Sequence, residues 1–527
     1  MKNARCLGRY LALLVSLGIG LVSLPGYSAP PDIVFILTDD LDQDLFRRQG
    51  ALAELLVAQG ITFANHFVSL SLCCPSRVTT LRGQYAHNTG IYTNGPGNGG
   101  FAKVYRDGLE YSTVATWLQA AGYRTALIGK YLNGYPDPRA ASHNYIPPGW
   151  HHWISPNGGT PYREYDYTLN EDGTTVSYGH RPEDYLVDVL ARKAAQFIRR
   201  SAAIYPKQPL FLYLAPYIPH GPATPPPRYA GWFPGLRAPR TAAFNEADVS
   251  DKPVWLRTLP PLSAEEIKRL DILYRHRRQS MLAVDDLVKT VIGALEATGR
   301  LANAYVFFTS DNGFHQGQHR LSSGKNTAFE EDLRIPLVVR GPGVPAGRSV
   351  THLTANVDYA PTFAELAGLT APSFVDGRSL AVFLKGAIPP AWREVLLLEH
   401  AGPALTARGA RGVLEPQDPY DVQLARRRAP PSFTGLRTAD GLTYVEYVTG
   451  DRELYDLKQD PDQLNNSYPT ADPVLKARLA AWLRSLRGTS GATLRAAEQA
   501  PPRAGMLSAT VPGGPRPVPA RPADSRN

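Results

Sequence analysis

A chain of 527 residues is too long for one ordinary hydrophobic core, so its length predicts a large domain with a smaller companion. With 43% apolar and 20% charged residues the composition is globular, which excludes a chain disordered throughout, and 47 prolines point to long structured loops. The formal charge of +9 allows an anionic partner, but Arg495, Arg503, Arg516, Arg521 and Arg526 outnumber Glu498 and Asp524 near the C-terminus, so net charge says little about an active site.

The first residues read as an export signal. Lys2, Arg5 and Arg9 precede an apolar run from Tyr10 to Leu24, and Gly26-Tyr27-Ser28 offers small residues for cleavage before Ala29, giving a signal peptide over 1–28. The alternative is an uncleaved anchor, although the run is short for a membrane span and no later segment is long and apolar enough to cross one. The mature chain would be exported, to a periplasm or to the medium. After cleavage only the neighbours Cys73 and Cys74 remain, so no disulfide framework is expected.

Asp32–Thr38 is a branched, apolar run followed by Asp39-Asp40, which reads as a buried strand. Helical spacing follows from about Leu45 to Ala58, Gly60 stops it, and Ile61 to Val68 is a strand candidate. Pro75 suits the first turn of a helix that should begin near Cys73. Ser112 is placed as the cap of a helix through Ala121, and Tyr123 to Ile128 as a strand before Gly129-Lys130. From Leu132 to about Gly179 no period is clear, and loops over a site are expected. Pro182 to Arg200 is helical, Pro209 to Tyr217 is a strand leading to His220, and Thr224 to Pro261 is irregular. Ser263-Ala264-Glu265-Glu266 is a capping box opening a long helix that Gly299 should close, and Ala304 to Thr309 is a strand ending in Ser310-Asp311-Asn312. A strand near Pro336 to Arg340 and a helix near Asp358 to Leu366 follow. Beyond Trp392 a hairpin at Asp440-Gly441 and a helix over Pro473 to Leu486 indicate a smaller antiparallel domain. The predicted organisation is 29–385, 386–487 and a disordered tail over 488–527.

Four apolar strands alternating with helices each carry a polar cluster beyond their carboxyl end: Asp39 and Asp40, Lys130, His220, and Asp311 with Asn312. In an open α/β sheet these groups converge at one edge. Asp39, Asp40, Asp311 and Asn312 make an all-oxygen ligand set, which suits calcium or magnesium and not zinc.

Cys73-Cys74-Pro75-Ser76-Arg77 puts a thiol at a helix N-terminus, where backbone N–H groups and Arg77 favour an anion. Cys73, Pro75, Ser76 and Arg77 match the Cys-x-Pro-Ser-Arg signature of the type I sulfatases of the alkaline phosphatase superfamily, and Gly122–Lys130 resembles their second signature. The doubled Cys73-Cys74, Gly129-Lys130-Tyr131-Leu132-Asn133 and Ile146-Pro147-Pro148-Gly149-Trp150 resemble the branch of N-acetylglucosamine-6-sulfatases and extracellular heparan endosulfatases. The resemblance implies an alkaline-phosphatase-like α/β fold with a mostly parallel central sheet flanked by helices, plus a smaller antiparallel C-terminal sheet.

It also implies chemistry. Cys73 is oxidised to formylglycine by a formylglycine-generating enzyme, and Asp39, Asp40, Asp311, Asn312 through its oxygen, and modified Cys73 hold one Ca2+, with Mg2+ as the alternative. Lys130, Lys325 and Arg77 neutralise the sulfuryl oxygens, a hydroxyl at position 73 attacks sulfur, and His220 protonates the departing sugar or aryl oxygen. Many members have a histidine two residues after the signature lysine; here that residue is Leu132, and His315 is the candidate to take over as base or to contact sulfate. A zinc pair of His315 and His319 is conceivable but lacks a nearby third ligand. His87, His151 and His152 are either substrate-facing or packed, with packing placed first for His87. The implied activity is hydrolysis of a sulfated carbohydrate, N-acetylglucosamine-6-sulfate-like or a glycosaminoglycan, or of an aryl sulfate, with no nucleic-acid partner. The alternatives are a phosphodiester or phosphonate monoester hydrolase on the same nucleophile, and a noncatalytic glycosaminoglycan-binding protein.

Overall fold

A computed structural model of the chain describes residues 30–48, 50–402 and 430–500. The expected signal peptide and residues 501–527 of the expected tail therefore lie outside the described residues.

The centre is a ten-stranded sheet. From edge to edge its strands are Arg348–Val350, Ile61–Phe63, Leu337–Arg340, Ala304–Ser310, Asp32–Thr38, Leu210–Ala215, Arg124–Gly129, His152–Gly159, Tyr167–Glu171 and Thr174–Tyr178. The strands ending in the polar clusters are contiguous and parallel: Asp32–Thr38 lies between Ala304–Ser310 and Leu210–Ala215, and Arg124–Gly129 flanks the latter. Each is buried on both faces apart from Arg124, which explains their unbroken apolar runs. Thr38 pairs with Ser310 and Gly129 with Ala215, so the strands end level and their polar residues emerge side by side.

One face is packed by the helices Leu186–Ile204 and Ala264–Ala297, the other by Cys73–Arg82, Val114–Ala120 and Tyr359–Leu366. The Ser263 capping box opens the 34-residue helix as the sequence indicates. A separate antiparallel sheet runs Val395–His400, Phe433–Thr438, Leu442–Tyr447, Arg452–Asp456, and the helix Pro473–Leu486 shares its core. No helix of the described residues is long and apolar enough to cross a membrane.

Several local expectations are corrected. The helix expected from Leu45 to Ala58 is a short turn, Gln43–Phe46, and a π-turn, Ala53–Val57, with Gly50 between them. Ile61 to Val68 is two short strands, Ile61–Phe63 and His66–Phe67. Thr113, not Ser112, caps the next helix, and the Ser112 hydroxyl accepts from Trp117 Nε1. Part of the stretch expected to be loops over a site forms three strands at the sheet edge, the last two joined at Asp172-Gly173. The expected tail is ordered at its start: Gly491–Ala497 is helical and Glu498 is fully buried against Arg393, Arg378 and Tyr85.

Candidate active site

Leu72 enters the Cys73–Arg82 helix in extended conformation, and Gly83 ends it at φ 67°. Pro75 sits in the first turn, where its missing N–H costs nothing. The Cys74 N–H donates to the Asn94 side chain at 2.9 Å, so one orphan donor of the helix start is capped from a distant loop. This fixes Cys73 at the buried head of the helix, beneath the strand ends.

The predicted groups meet there. Cys73 Sγ lies 3.5 Å from Asp39 Oδ1 and 2.8 Å from Lys325 Nζ, which donates to Asp40 Oδ1 at 2.6 Å. Lys130 Nζ donates to Asp39 Oδ2 at 2.6 Å, and Arg77 Nε to Asp311 Oδ2 at 2.8 Å. Arg77 Nη1 also donates to the Lys130 carbonyl at 3.0 Å. His220 Nε2 is 3.6 Å from Asp40 Oδ2, and its Nδ1 donates to the Gly221 carbonyl at 2.8 Å. Lys130 reaches this point because Gly129, at φ 114°, lets the chain pass Ala215; a Cβ there would stand 2.1 Å from the Ala215 carbonyl oxygen. Asp40, at φ 63°, holds the left-handed conformation that aspartate tolerates better than most residues with a side chain.

The charges are interlocked. Burial alone would raise Asp39, but Lys130, His220, Arg77 and Lys325 hold it well below the usual carboxylate range. Asp311 moves up, through burial and the nearby Asp39. Against burial, Asp39 holds Lys130 protonated above its ordinary value, and Asp40 does the same for Lys325. Burial, reinforced by Asp39, pushes the Cys73 thiol well above its ordinary value despite the two lysines. The unmodified thiol is thus no ready thiolate.

The donor set fits a hard divalent cation. Asp39, Asp40, Cys73 and His220 present ligand atoms all within 4.8 Å of one another. Asn312 donates from Nδ2 to Asp40 Oδ1 at 2.6 Å and leaves its buried Oδ1 without a hydrogen-bond partner, an acceptor that an ion would satisfy.

His315 belongs to a short strand whose partner residue is Gly324, next to Lys325, and its Nδ1 donates to Asp332 at 2.9 Å. The conceivable zinc pair does not form: His319 Nδ1 bonds to Glu246 at 2.6 Å, its ring stacks on Phe329, and the described residues group neither histidine with other metal ligands. His87 is packed, with Nδ1 to Glu399 at 3.1 Å and Nε2 to the Thr489 carbonyl at 2.8 Å. His151 bonds Thr125 and is otherwise exposed, and His152 bonds Asp172 and stacks on Phe197, away from the Cys73 cluster. Leu132 is buried in an apolar cluster.

Sequence reasoning missed five supporting residues. Asn94 caps the cysteine helix, and Asp332 orients His315. Tyr162 and Tyr217 set their rings 5.0 and 5.6 Å from Lys130 Nζ, and the Tyr162 ring lies 4.6 Å from that of His220. Arg277, from the middle of the long helix, reaches the Asp40 carbonyl and pairs with Asp42 at 2.9 Å. None of these left a trace in the sequence: even Arg277 sits unmarked in the basic run Arg275-His276-Arg277-Arg278, whose other members are half-buried.

Comparison with known proteins agrees with this geometry. The chain is 33% identical over 504 residues to an N-acetylglucosamine-6-sulfatase of Homo sapiens, covering 92% of this chain and 89% of that protein. It is 34% identical over 403 residues to a putative extracellular sulfatase Sulf-1 homolog of Caenorhabditis elegans, covering 74% of this chain and 55% of that one. A protein solved in complex with its substrate D-glucosamine-2-N,6-O-disulfate shares the fold, with a TM-score of 0.67 and 23% identity over 87% of this chain and 97% of that chain. The family model described as Sulfatase matches residues 31–369, most of the chain, and with the relatives of that name it shows that this protein belongs to the sulfatase family and is a sulfatase enzyme.

Proposed function

We propose that the chain removes sulfate from a sulfated amino sugar of the N-acetylglucosamine-6-sulfate kind, using formylglycine at position 73 and a bound Ca2+. The observation that carries this reading is the convergence of Arg77, Lys130 and Lys325, all buried, with three carboxylates and an acceptor-bearing amide around one side chain at a helix head. The names of the amino-sugar sulfatase relatives support the substrate class.

Each residue has a task set by its position. Asp39, Asp40, Asp311 and Asn312 would hold the ion, which supplies positive charge to the sulfuryl oxygens and favours the deprotonated form of the attacking hydroxyl. As a hydrated aldehyde, position 73 offers two hydroxyls on one carbon, so it can take the sulfuryl group from the ester and release it as sulfate with return of the aldehyde. Lys325 and Lys130, kept protonated by Asp40 and Asp39, bind the sulfate oxygens and offset the charge that spreads over them during transfer. Arg77 orients Asp311. His220 keeps a hydrogen on Nδ1 for the Gly221 carbonyl, so its Nε2 is the nitrogen that gives a proton to the departing sugar oxygen. His315 donates from Nδ1 to Asp332, which makes Nε2 its basic nitrogen and suits it to take the proton whose loss expels sulfate, the task left open by Leu132.

Export, with the first 28 residues as signal and maturation by a formylglycine-generating enzyme, completes the proposal; a curated relative named as extracellular supports it. The test measures sulfate release from N-acetylglucosamine 6-sulfate and from an aryl sulfate alongside hydrolysis of an aryl phosphate and a phenylphosphonate. Sulfate esters should turn over fastest, and a phosphonate that outpaces them overturns the substrate class. Peptide mass mapping across residue 73 should show the aldehyde; an active preparation carrying only the thiol removes the mechanism.

A further inference from the structure

Apart from the Cys73 cluster, a cleft of about 270 Å³ is lined by Gln316, by Glu330 and Glu331 of the short helix Glu330–Leu333, and by Asp462 from beyond the second sheet. That volume lies just below the range of ordinary ligand pockets, roughly 300–1,000 Å³, and suits one sugar ring rather than an oligosaccharide.

Its wall contains a buried polar atom in need of a ligand. Gln316 is 3% exposed, and its Nε2 has no hydrogen-bond partner. Turning the amide over offers no relief, because its Oε1 accepts from Arg277 Nη1 and a guanidinium carries donors alone. The cleft wall thus holds a fixed donor that no acceptor among the described residues satisfies.

The same cleft holds carboxyls in need of donors. Asp42 is paired with Arg277, Asp44 with Arg48, and Glu330 with Arg437, whereas neither Glu331 nor Asp462 has an ion-pair partner among the described residues. Five carboxyl side chains and two arginines, Arg47 and Arg334, line the space. Burial, with Asp332, Glu330 and Asp462 nearby, pushes Glu331 up to about 8, so this carboxyl is held protonated until a cation arrives. A bare metal ion is a poor guest: the one group of ligating side chains close enough to share an ion among the described residues is that of Asp39, Asp40, Cys73 and His220. A guest with one positive group and several hydroxyls matches better.

We infer that this cleft is a second sugar site, which takes an amine-bearing monosaccharide unit with its ammonium against Glu331 and Asp462 and a ring or hydroxyl oxygen on Gln316 Nε2. Arg277 ties it to the reaction centre by donating to Gln316 with one nitrogen and to the Asp40 carbonyl with another. The inference goes beyond the sulfatase reading, since none of the three groups that hold the guest takes part in ester cleavage.

Titration calorimetry tests it on the full chain carrying Cys73→Ala, which binds without turnover, with glucosamine, glucose and glucuronate as probes. Glucosamine should bind saturably and at least about tenfold more tightly than glucose, equivalent to about 1.4 kcal/mol, and more tightly than glucuronate, which probes Arg47 and Arg334. Near pH 7 the entering ammonium ionises Glu331, so the heat should vary with the ionisation enthalpy of the buffer. Glu331→Gln should reduce that dependence to the part due to the probe's own amine, and Glu331→Gln and Asp462→Asn should each weaken glucosamine about tenfold. In the protein with Cys73 intact, both variants should keep aryl sulfate turnover within about twofold. Equal binding of glucosamine and glucose, no binding by any probe, or unchanged affinity in both variants overturns the site. If the guest is part of the substrate, glucosamine raises KM for a sugar sulfate and not for a small aryl sulfate; if it is a free sugar, neither KM changes, and either pattern supports the site. Because binding is read without turnover, failure of the sulfatase chemistry would leave this result standing.

Discussion

Around Asp358 and around Cys73 the chain buries the same kinds of charge, and the two clusters differ in how far they close. At the junction with the second sheet, Arg393 engages all three of its guanidinium nitrogens: Nη1 and Nη2 reach the two oxygens of Asp358 at 2.7 and 2.8 Å, and Nε reaches Glu498 at 3.1 Å. Tyr85 and Arg378 complete Glu498. Around Cys73 the bookkeeping stays open. Arg77 Nη2 has no hydrogen bond and stands 3.8 Å from Asp39, Asn312 Oδ1 has no partner, and Lys325 is shared between Asp40 and the thiol. A network that satisfies itself holds a fold together; one that leaves donors and acceptors unspent is arranged for an ion and a substrate.

Breaking the open cluster should affect chemistry first. Asp311→Ala is expected to abolish turnover, by on the order of 10³-fold or more, mainly through loss of the metal. Elemental analysis should show the ion missing, and full turnover by this variant in chelator would contradict Asp311 as a ligand. His220→Ala should cut hydrolysis of a sugar sulfate by about 10²- to 10⁴-fold but spare an aryl sulfate, whose leaving group needs no proton. Equal losses on the two substrates would remove His220 from the role of acid.

Breaking the closed cluster should affect stability instead. Arg393→Met leaves Asp358 and Glu498 buried without their cation, at a cost of about 3–5 kcal/mol seen in urea unfolding, while the folded fraction keeps its kcat. A matching fall in kcat would show that the two clusters are not separate in function. A smaller effect comes from the neighbouring His87, which burial alone would depress but which Glu399 and the Thr489 carbonyl raise from 6.5 to about 9. A raised histidine contributes its stability in full below about pH 6.5 and loses it as pH rises through about 9. The urea midpoint should fall across that window, and His87→Gln should flatten the decline; an unchanged slope would remove His87 from the junction's pH response.

The parallel strands were legible because a strand buried on both faces must be apolar throughout, and each was punctuated by a polar cluster at its end. The edge strands Tyr167–Glu171 and Thr174–Tyr178 were not, because they mix Thr, Asn, Ser and Glu with few apolar residues, although Asp172-Gly173 is a hairpin signal in plain view. The segment from Leu45 to Ala58 carries helical spacing, yet Gly50 and the carboxylate of Asp285, which accepts from the N–H groups of Gly50 and Leu52, divide it. Residues 491–500 look like tail because short, Ala-rich sequence gives no period. What orders them is the burial of one carboxylate, Glu498, against Arg393.

Sequence by itself determined the order of the elements, the buried parallel strands, the cysteine at a helix head and the polar residues that gather round it, since each follows from local pattern or from a signature a few residues long. Tertiary structure alone decided what orients those groups: Asn94 on the helix start, Asp332 on His315, Arg277 beneath Asp40, and the unsatisfied amide of Gln316 in its acidic cleft. Those pairings join residues far apart along the chain, and no local pattern encodes a hydrogen bond whose partner arrives from another element.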